Sequence, residues 1–296
     1  MADLLNFVRG FLMGSADVVP GVSGGTVALV LGIYERLIRA IRNGANALWS
    51  IVRGRRAGLS EQLRTIDWRF LSALLAGILV AVVTLAALIE HLLEDEPQNT
   101  SALFFGLVAG SIVIAWRLVD NWTASYIGAA LVTAVAAFAL LGLRSDEITD
   151  PGVVLFFGAG AIAIVAMILP GLSGSFILVT LGMYKAVLGS VNNRDLGMLL
   201  VFIFGAIIGL AIFSTLLDRL LLDYRAITMA ILIGLMTGSL RVLWPWPDGT
   251  ETATLSSPQS PTVPLLLAVA GFAAVVALSR LVGRPALEKL RPASGD

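Results

Sequence analysis

Two copies of a short motif rich in glycine and serine are the residues of this chain best suited to bind a ligand. Pro-Gly-Val-Ser-Gly-Gly-Thr occupies Pro20–Thr26, and Pro-Gly-Leu-Ser-Gly-Ser-Phe occupies Pro170–Phe176, 150 residues later. A proline–glycine pair breaks a helix, and a new helix can begin after it. The N-terminus of that helix presents unpaired backbone N–H groups and a positive dipole end. The motif therefore predicts an anion site, for phosphate or carboxylate.

Hydroxyl groups next to both breaks add donors to the predicted site. The predicted phosphate-binding residues are Ser23, Gly24, Gly25, Thr26, Ser173, Gly174, Ser175 and Arg241. Small residues can instead serve close packing of membrane helices, which is the alternative for either copy taken alone. Duplication, with a proline at each break, favours a site of the kind that transporters place at the bilayer midplane.

Two charged residues in apolar sequence extend this hypothesis. Asp17 lies three residues before the first proline, and Met167 occupies its position in the second copy. A buried acid in a transport path is a candidate for proton coupling, and a carboxylate that caps the broken helix is the alternative. Arg241 is expected within a membrane helix, where it would contact a phosphate, pair with Asp17 or extend to the outer interface.

The elements that must position these residues are membrane helices. Charged residues make up 14% of the chain, against roughly 25% in soluble domains, and the mean hydropathy is +0.90. A span needs about 20 apolar residues. Uncharged stretches near that length are Leu71–Ile89, Gln98–Trp116, Asn121–Leu143, Leu196–Leu217 and Thr252–Ser279. The run Ala226–Leu240 reaches the same length only by including Arg241.

The spans repeat as well, at an offset of 128 residues that pairs Gly77 with Gly205. The offset differs from 150 because an arginine-rich linker, 39–69, has no counterpart in the second half. We expect an all-α polytopic integral membrane protein of two repeats, 1–143 and 144–283, each with one broken segment and three transmembrane helices. The tail is 284–296.

The broken segments, 4–38 and 152–190, are expected to be re-entrant helical hairpins; two full spans in place of each is the competing interpretation. Either arrangement gives each half an odd number of crossings, so the two repeats must have inverted topology. With the linker 39–69 in the cytoplasm, 16 of the 20 Lys and Arg residues are cytoplasmic, in agreement with the positive-inside rule. Both termini are then cytoplasmic, and the protein lies in the cell membrane.

Several classes of function are excluded or disfavoured. The chain has no cysteine, which rules out disulfide and thiol chemistry, and its zero net charge indicates no nucleic-acid partner. No phosphate-binding loop of an ATPase is present, so transport would use the proton motive force or the membrane potential. No cofactor or metal site is predicted, and the oligomeric state stays open.

The chain also resembles a known family in several separate motifs. They are Gly14–Thr26, Gly32–Glu35, Leu169–Ser175 and Gly238–Pro245, which are similar to those of the PopT polyprenyl-phosphate transporters of bacteria and archaea. The resemblance spans nearly the whole chain and implies return of undecaprenyl phosphate from the outer to the cytoplasmic leaflet after envelope synthesis. The residues that match family motif positions are Asp17, Ser23, Gly24, Gly25, Ser173, Gly174 and Arg241.

Two alternatives of other kinds remain at this point. One is a membrane-embedded phosphatase acting on polyprenyl pyrophosphate, whose related motif places an arginine directly after the serine. Here Gly24 and Gly174 follow the serines, and neither broken segment supplies a glutamate for the chemistry. The other is a secondary transporter of a small soluble anion, which would need a sealed aqueous cavity.

Overall fold

The computed structural model describes residues 2–19, 21–52, 63–143, 145–246 and 255–288, and this part of the chain contains helices and no strands. Twelve helices are delimited within it. They are α1 (Ala2–Asp17), α2 (Gly24–Val30), α3 (Tyr34–Val52), α4 (Trp68–Asp95), α5 (Pro97–Trp116), α6 (Ala124–Leu140), α7 (Val153–Ile168), α8 (Gly174–Thr180), α9 (Tyr184–Asn192), α10 (Leu196–Asp223), α11 (Arg225–Ser239) and α12 (Thr262–Glu288). The prediction of an all-helical protein is confirmed.

Four helices are long and apolar enough to cross a membrane: α4, α5, α10 and α12. The helices α6, α7 and α11 are apolar but shorter, at 17, 16 and 15 residues. These features fit a multi-pass membrane protein, as predicted. The predicted span Thr252–Ser279 begins later than expected, at Thr262, because Pro258 and Pro261 disfavour helix in the residues before it.

The placement of Arg241 within a membrane helix is wrong. Helix α11 ends at Ser239, and Arg241 lies in the turn that follows. The N–H groups of Val242 and Leu243 donate to carbonyls three residues back, at 3.0 and 3.2 Å. Pro245 then prevents the segment from resuming a regular helix, since the residue before a proline is disfavoured in helical conformation.

Both motif segments contain a break at the predicted place. Helix α1 ends at Asp17 and α7 at Ile168, and a helix of seven residues, α2 or α8, follows each break. Gly21 and Gly171 adopt φ angles of +84° and +85° there, a conformation that favours glycine. Pro20, residues 53–62 of the linker, Arg144 and the tail from 289 lie outside the described residues.

A second break follows each short helix and was not predicted. Gly32 and Gly182 both have φ of +68°. The next N–H in each copy, that of Ile33 or Met183, donates at 2.9 Å to the carbonyl five residues back. This is the glycine-terminated helix end known as the Schellman motif. The second copy bends by 114° between α8 and α9.

Glycines allow close contact between helices at positions that recur with the sequence offsets. Gly10 of α1 faces the backbone of Leu74 in α4, and Gly160 of α7 faces the backbone of Phe202 in α10. The first residues of these two pairs are 150 apart and the second residues 128 apart. The same contact is therefore built twice by the same sequence pattern.

A second pair of contacts crosses between the halves of the chain. Gly106 of α5 faces the backbone of Ala268 in α12, and Gly234 of α11 faces the backbone of Ala130 in α6. Helix α5 thus packs on the last helix, while its sequence equivalent α11 packs on α6. The two halves are interlocked rather than side by side.

We predict that Gly205→Ala destabilises the protein by about 1–3 kcal/mol, because the added Cβ would overlap the carbonyl oxygen of Phe157. Gly128 in α6 is the matched control, since a Cβ there meets no atom within 4 Å. Gly128→Ala should be neutral or stabilise by up to about 1 kcal/mol through helix propensity. Thermal unfolding in detergent measures both, and equal midpoints for the two variants would show that the close contact at Gly205 does not limit stability.

Candidate functional site

The two motif breaks lie against each other and are joined by side-chain hydrogen bonds. The Ser23 hydroxyl, which can donate one proton, lies 3.2 Å from the carbonyl oxygens of both Met167 and Leu169. Thr26 Oγ1 accepts from the N–H of Gly171 at 2.8 Å. Those carbonyls belong to the C-terminal end of α7, where the last carbonyl groups have no N–H donor within the helix. The first motif therefore satisfies backbone groups of the second.

Tyr34 and Gly25 complete this contact. The buried Tyr34 hydroxyl donates to the carbonyl of Ile168 at 3.1 Å. A Cβ on Gly25 would lie 2.8 Å from the same oxygen, so the close approach requires glycine. From sequence, Tyr34 was covered only by the motif Gly32–Glu35, because nothing local indicates a partner 134 residues away.

The third motif segment, Gly238–Pro245, meets both breaks. A Cβ on Gly171 would lie 2.8 Å from the hydroxyl of Ser239. A Cβ on Gly21 would lie 2.8 Å from Val242, in the turn after α11. Three motifs that are distant in sequence are therefore assembled at one place, where two helices are interrupted.

Asp17 caps the helix that follows the first break. Its Oδ1 accepts from the N–H of Gly24 at 2.6 Å, and a side chain on Gly24 would overlap the carboxylate. The N–H of Gly25 donates to the Ser23 hydroxyl at 3.1 Å. The first amides of α2 are therefore already hydrogen-bonded within the protein, and the capping interpretation describes the contact of Asp17.

The second break ends differently. Met167 packs its side chain against Gly174 at the position equivalent to Asp17. The hydroxyl of Ser173 makes no capping bond and lies 2.9 Å from the hydroxyl of Ser175. Ser173 is buried and Ser175 is exposed. No described side chain accepts from the N–H of Gly174 or Ser175, in contrast to the capped start of α2.

Arg241 lies beside the end of α6. Its guanidinium carbon is 4.6 Å from the centroid of the Phe138 ring, and the group packs over Gly142. The ion pairs within the described ranges do not include one between Arg241 and Asp17. The structure therefore places Arg241 in the segment that contacts both breaks, with described side-chain neighbours on α6.

Two ion pairs that join α3 to α10 and α11 were missed from sequence. Arg42 pairs with Asp218, which is 2% exposed, and Arg225 Nε lies 2.8 Å from Glu35 Oε1. A buried carboxylate is tolerated only with such a partner. The available signal is an acid at the end of an apolar run, but its partner lies 176 residues earlier.

Hydroxyl and amide groups of both motifs lie together where the two breaks meet. The Ser23 hydroxyl faces carbonyl oxygens instead of a base that could activate it. Within the described ranges, no group of three or more His, Cys, Asp or Glu could hold a metal ion.

Comparison with known proteins gives consistent results. Residues 13–261 match a family model described as undecaprenyl phosphate translocase-like. A curated polyprenyl-phosphate transporter of Vibrio cholerae serotype O1 is 40% identical over 263 residues, which is 89% of this chain and 84% of the relative. One of Staphylococcus aureus is 30% identical over 259 residues, 81% of this chain and 86% of the relative. No solved structure matches the chain at a significant level.

We predict that Thr26→Val destabilises the protein by about 1–3 kcal/mol, because the buried N–H of Gly171 loses its acceptor. The control is Thr84→Val, since the exposed Thr84 hydroxyl bonds only within its own helix. Unfolding midpoints of the purified variants measure the difference. A Thr26→Val variant as stable as Thr84→Val would show that this bond does not hold the breaks together.

Proposed function

The chain belongs to the undecaprenyl phosphate translocase-like family, and on this premise we propose that it returns a polyprenyl phosphate, such as undecaprenyl phosphate, from the outer to the cytoplasmic leaflet. The lipid carrier would then serve another round of envelope polymer synthesis. The curated relatives are transporters of polyprenyl phosphate, which favours transport over catalysis. The observation that carries the proposal is the meeting of both Pro-Gly breaks with the segment Gly238–Pro245.

The architecture that we propose is two inverted repeats, 1–143 and 144–283. Its support is the direction of the helices that pack between the halves. Gly234 and Gly238 of α11 face Ala130 and Ala134 of α6, so the residue numbers of both helices rise together and the helices run parallel. If consecutive spans alternate in direction, α10 must run opposite to α4. The halves would then be inverted, as in many secondary transporters.

We place both termini and the linker 39–69 in the cytoplasm, on the positive-inside rule. The broken segments, 4–38 and 152–190, are proposed to enter and leave on the same side. Helix α7 has 16 residues and α8 has seven, about 24 and 10 Å, and neither spans a core of about 30 Å alone. The two breaks would then meet near the midplane from opposite sides.

The head group of the lipid is proposed to bind at the start of α8, where the hydrogen-bond donors have no side-chain cap. The hydroxyls of Ser173 and Ser175 and the N–H of Gly174 would donate to its oxygens, and Arg241 would balance its charge. The first-motif residues Ser23, Gly24, Gly25 and Thr26 would form the opposite wall of the site. The polyprenyl tail would stay in the bilayer, so the protein needs to enclose only the phosphate.

The driving force is proposed to be the proton motive force, with Asp17 as the group that gains and loses the proton. Its carboxylate holds the N–H of Gly24, and protonation would weaken that cap and alter the end of α2 beside the site. The equivalent position in the second half is Met167, so the titrating group would exist in one half only. The coupling would then be asymmetric.

We predict that Asp17→Asn retains lipid binding but flattens the pH dependence of transport in proteoliposomes. Asparagine keeps an oxygen that can cap Gly24 but does not titrate in this range. The control is Asp195→Asn, because Asp195 caps α10 through Met198 and lies outside the proposed site. A transport profile against pH that is unchanged in Asp17→Asn would reject the coupling role.

We predict that cells depleted of the protein accumulate phosphate-headed polyprenyl lipid on their outer surface, and that the wild-type chain restores retrieval. The double variant Ser173→Ala/Ser175→Ala and the variant Arg241→Ala should insert normally but fail to restore it, because each removes head-group contacts. Ser125→Ala, at another hydroxyl pair, should restore retrieval fully. Normal surface levels in the depleted cells would contradict the proposed function itself.

The same experiments separate the two alternatives. Release of phosphate from polyprenyl pyrophosphate by the purified protein would support the phosphatase. Transport of inorganic phosphate into proteoliposomes without any effect of polyprenyl lipid would support a carrier of small anions.

A further inference from the structure

Two cavities occupy equivalent positions in the two halves of the chain. The first, between α3 and the start of α4 and α11, has a volume of about 530 Å³, and the second, beside α9 and the start of α10, about 440 Å³. Their lining residues correspond at the offsets of the sequence repeat: Arg36 with Ala186, Arg39 with Gly189 and Asp67 with Asp195. The cavities therefore share their place in the repeat and one aspartate, but Arg36 and Arg39 of the first have no charged equivalent in the second.

The first cavity is positively charged. Its described lining includes the guanidinium groups of Arg36, Arg39 and Arg225 and the carboxylates of Glu35 and Asp67. Arg36 is paired with Asp67, and Arg225 with Glu35. The hydrogen bonds from Arg36 hold the pKa of the Asp67 carboxyl below its usual range, so this carboxylate is ionised at neutral pH. One positive charge is left over.

That surplus charge is Arg39. Its Nε lies 4.0 Å from Asp218, but Asp218 is already bonded to Arg42, and Asp218 itself is not part of the cavity lining. The Arg39 side chain is 53% exposed. It is the cation of this cavity that is least engaged with protein carboxylates, and its planar fork suits the oxygens of a phosphate.

The second cavity has the opposite balance. Its described lining carries Lys185 against the carboxylates of Glu147, Asp150 and Asp195. Lys185 pairs with Glu147 at 2.6 Å, which leaves two acids without a cation in the lining. This cavity therefore repels an anion.

The floor of the first cavity leads to the meeting point of the motifs. Leu29, Tyr34 and Met229 line it, and all three are buried. The hydroxyl of Tyr34 is the one that bonds to the carbonyl of Ile168 at the second break. The cavity thus has charged residues at its rim and apolar residues at its floor. The side chain of Tyr34 connects this floor to the contact between the two breaks.

We propose that the first cavity is a separate binding site for a phosphate group, held at Arg39 with Arg36 and Arg225 beside it, and that the equivalent cavity of the second half does not bind phosphate. On the proposed topology the site lies at the cytoplasmic face, where a phosphate-headed lipid would leave the transporter. Only the lipid identity of the ligand rests on the proposed function. The charge difference between the cavities stands without it.

The absence of cysteine from the chain allows a test that resolves the two cavities. Asn43 lines the first cavity and Asn193 the equivalent place in the second, so Asn43→Cys and Asn193→Cys are matched reporters. The rate of alkylation by a maleimide is measured in detergent with inorganic phosphate, farnesyl phosphate or farnesol. For each probe, the ratio of rates with and without it reports occupancy.

We predict protection of Asn43→Cys by phosphate-bearing probes, no protection by farnesol, and no protection of Asn193→Cys. Addition of Arg39→Ala should raise the half-protecting concentration about tenfold, the loss expected for hydrogen bonds to a charged group. Arg39→Lys should recover part of the protection, and Lys185→Ala should have no effect. A lipid source is indicated if farnesyl phosphate protects at lower concentration than inorganic phosphate, and a free anion if the two are equal.

Equal protection of both reporters, or protection of Asn43→Cys that survives Arg36→Ala/Arg39→Ala, would overturn the proposal and leave these arginines as topology signals only. The outcome is independent of the central site. Ser173→Ala/Ser175→Ala should abolish transport and leave protection of Asn43→Cys intact, so a failure of the proposed function would not be mistaken for a failure of this site.

Discussion

Backbone groups at an interrupted helix must find partners inside the protein when the surroundings are lipid, and this requirement organises the whole molecule. Water is not available there, and each unsatisfied group costs several kcal/mol. Helix α7 ends at Ile168, and the hydroxyl groups of Ser23 and Tyr34 from the first half donate hydrogen bonds to carbonyls at this end. The N–H of Gly171 donates to the hydroxyl oxygen of Thr26. The end of α7 is therefore satisfied by groups of the first half of the chain, and the halves are further interlocked by α5, α6, α11 and α12.

The departures from equivalence between the halves are where function can reside. If the repeats are inverted as proposed, two identical halves would present the same site to both faces and would have no preferred state. Here Asp17 closes the end of α2, while Met167 leaves the end of α8 with donors uncommitted. Tyr34 is buried in the contact between the breaks, whereas its equivalent Tyr184 is 40% exposed. These differences concern single side chains on a shared backbone plan.

The main apolar helices and the Pro-Gly breaks were predictable from sequence, whereas the second breaks and the contacts between the halves were not. The pair Pro170-Gly171, which lies within 34 uncharged residues, predicts a helix break in a membrane segment. Apolar runs as long as those of α4 and α10 predict membrane spans. The turn at Arg241 was missed because the apolar run Ala226–Leu240 reaches the length of a span only when Arg241 is included in it. The bonds of Tyr34 and Asp218 depend on partners more than 100 residues away. Periodicity and composition carry no information on such partners.

A translocase must release its substrate as readily as it binds it, and the partly neutralised arginines suit that requirement. Three unpaired guanidinium groups around one phosphate would bind it tightly and slow its release. A ligand that binds equally well in every conformation also shifts no conformational equilibrium. In the first cavity Glu35 and Asp67 already hold two of the three arginines. An incoming phosphate would exchange with a carboxylate at those two, so that only Arg39 contributes uncompensated attraction. The carboxylates of Glu35 and Asp67 therefore lower the affinity of the cavity for phosphate. Their removal should make the head group bind more tightly and leave more slowly.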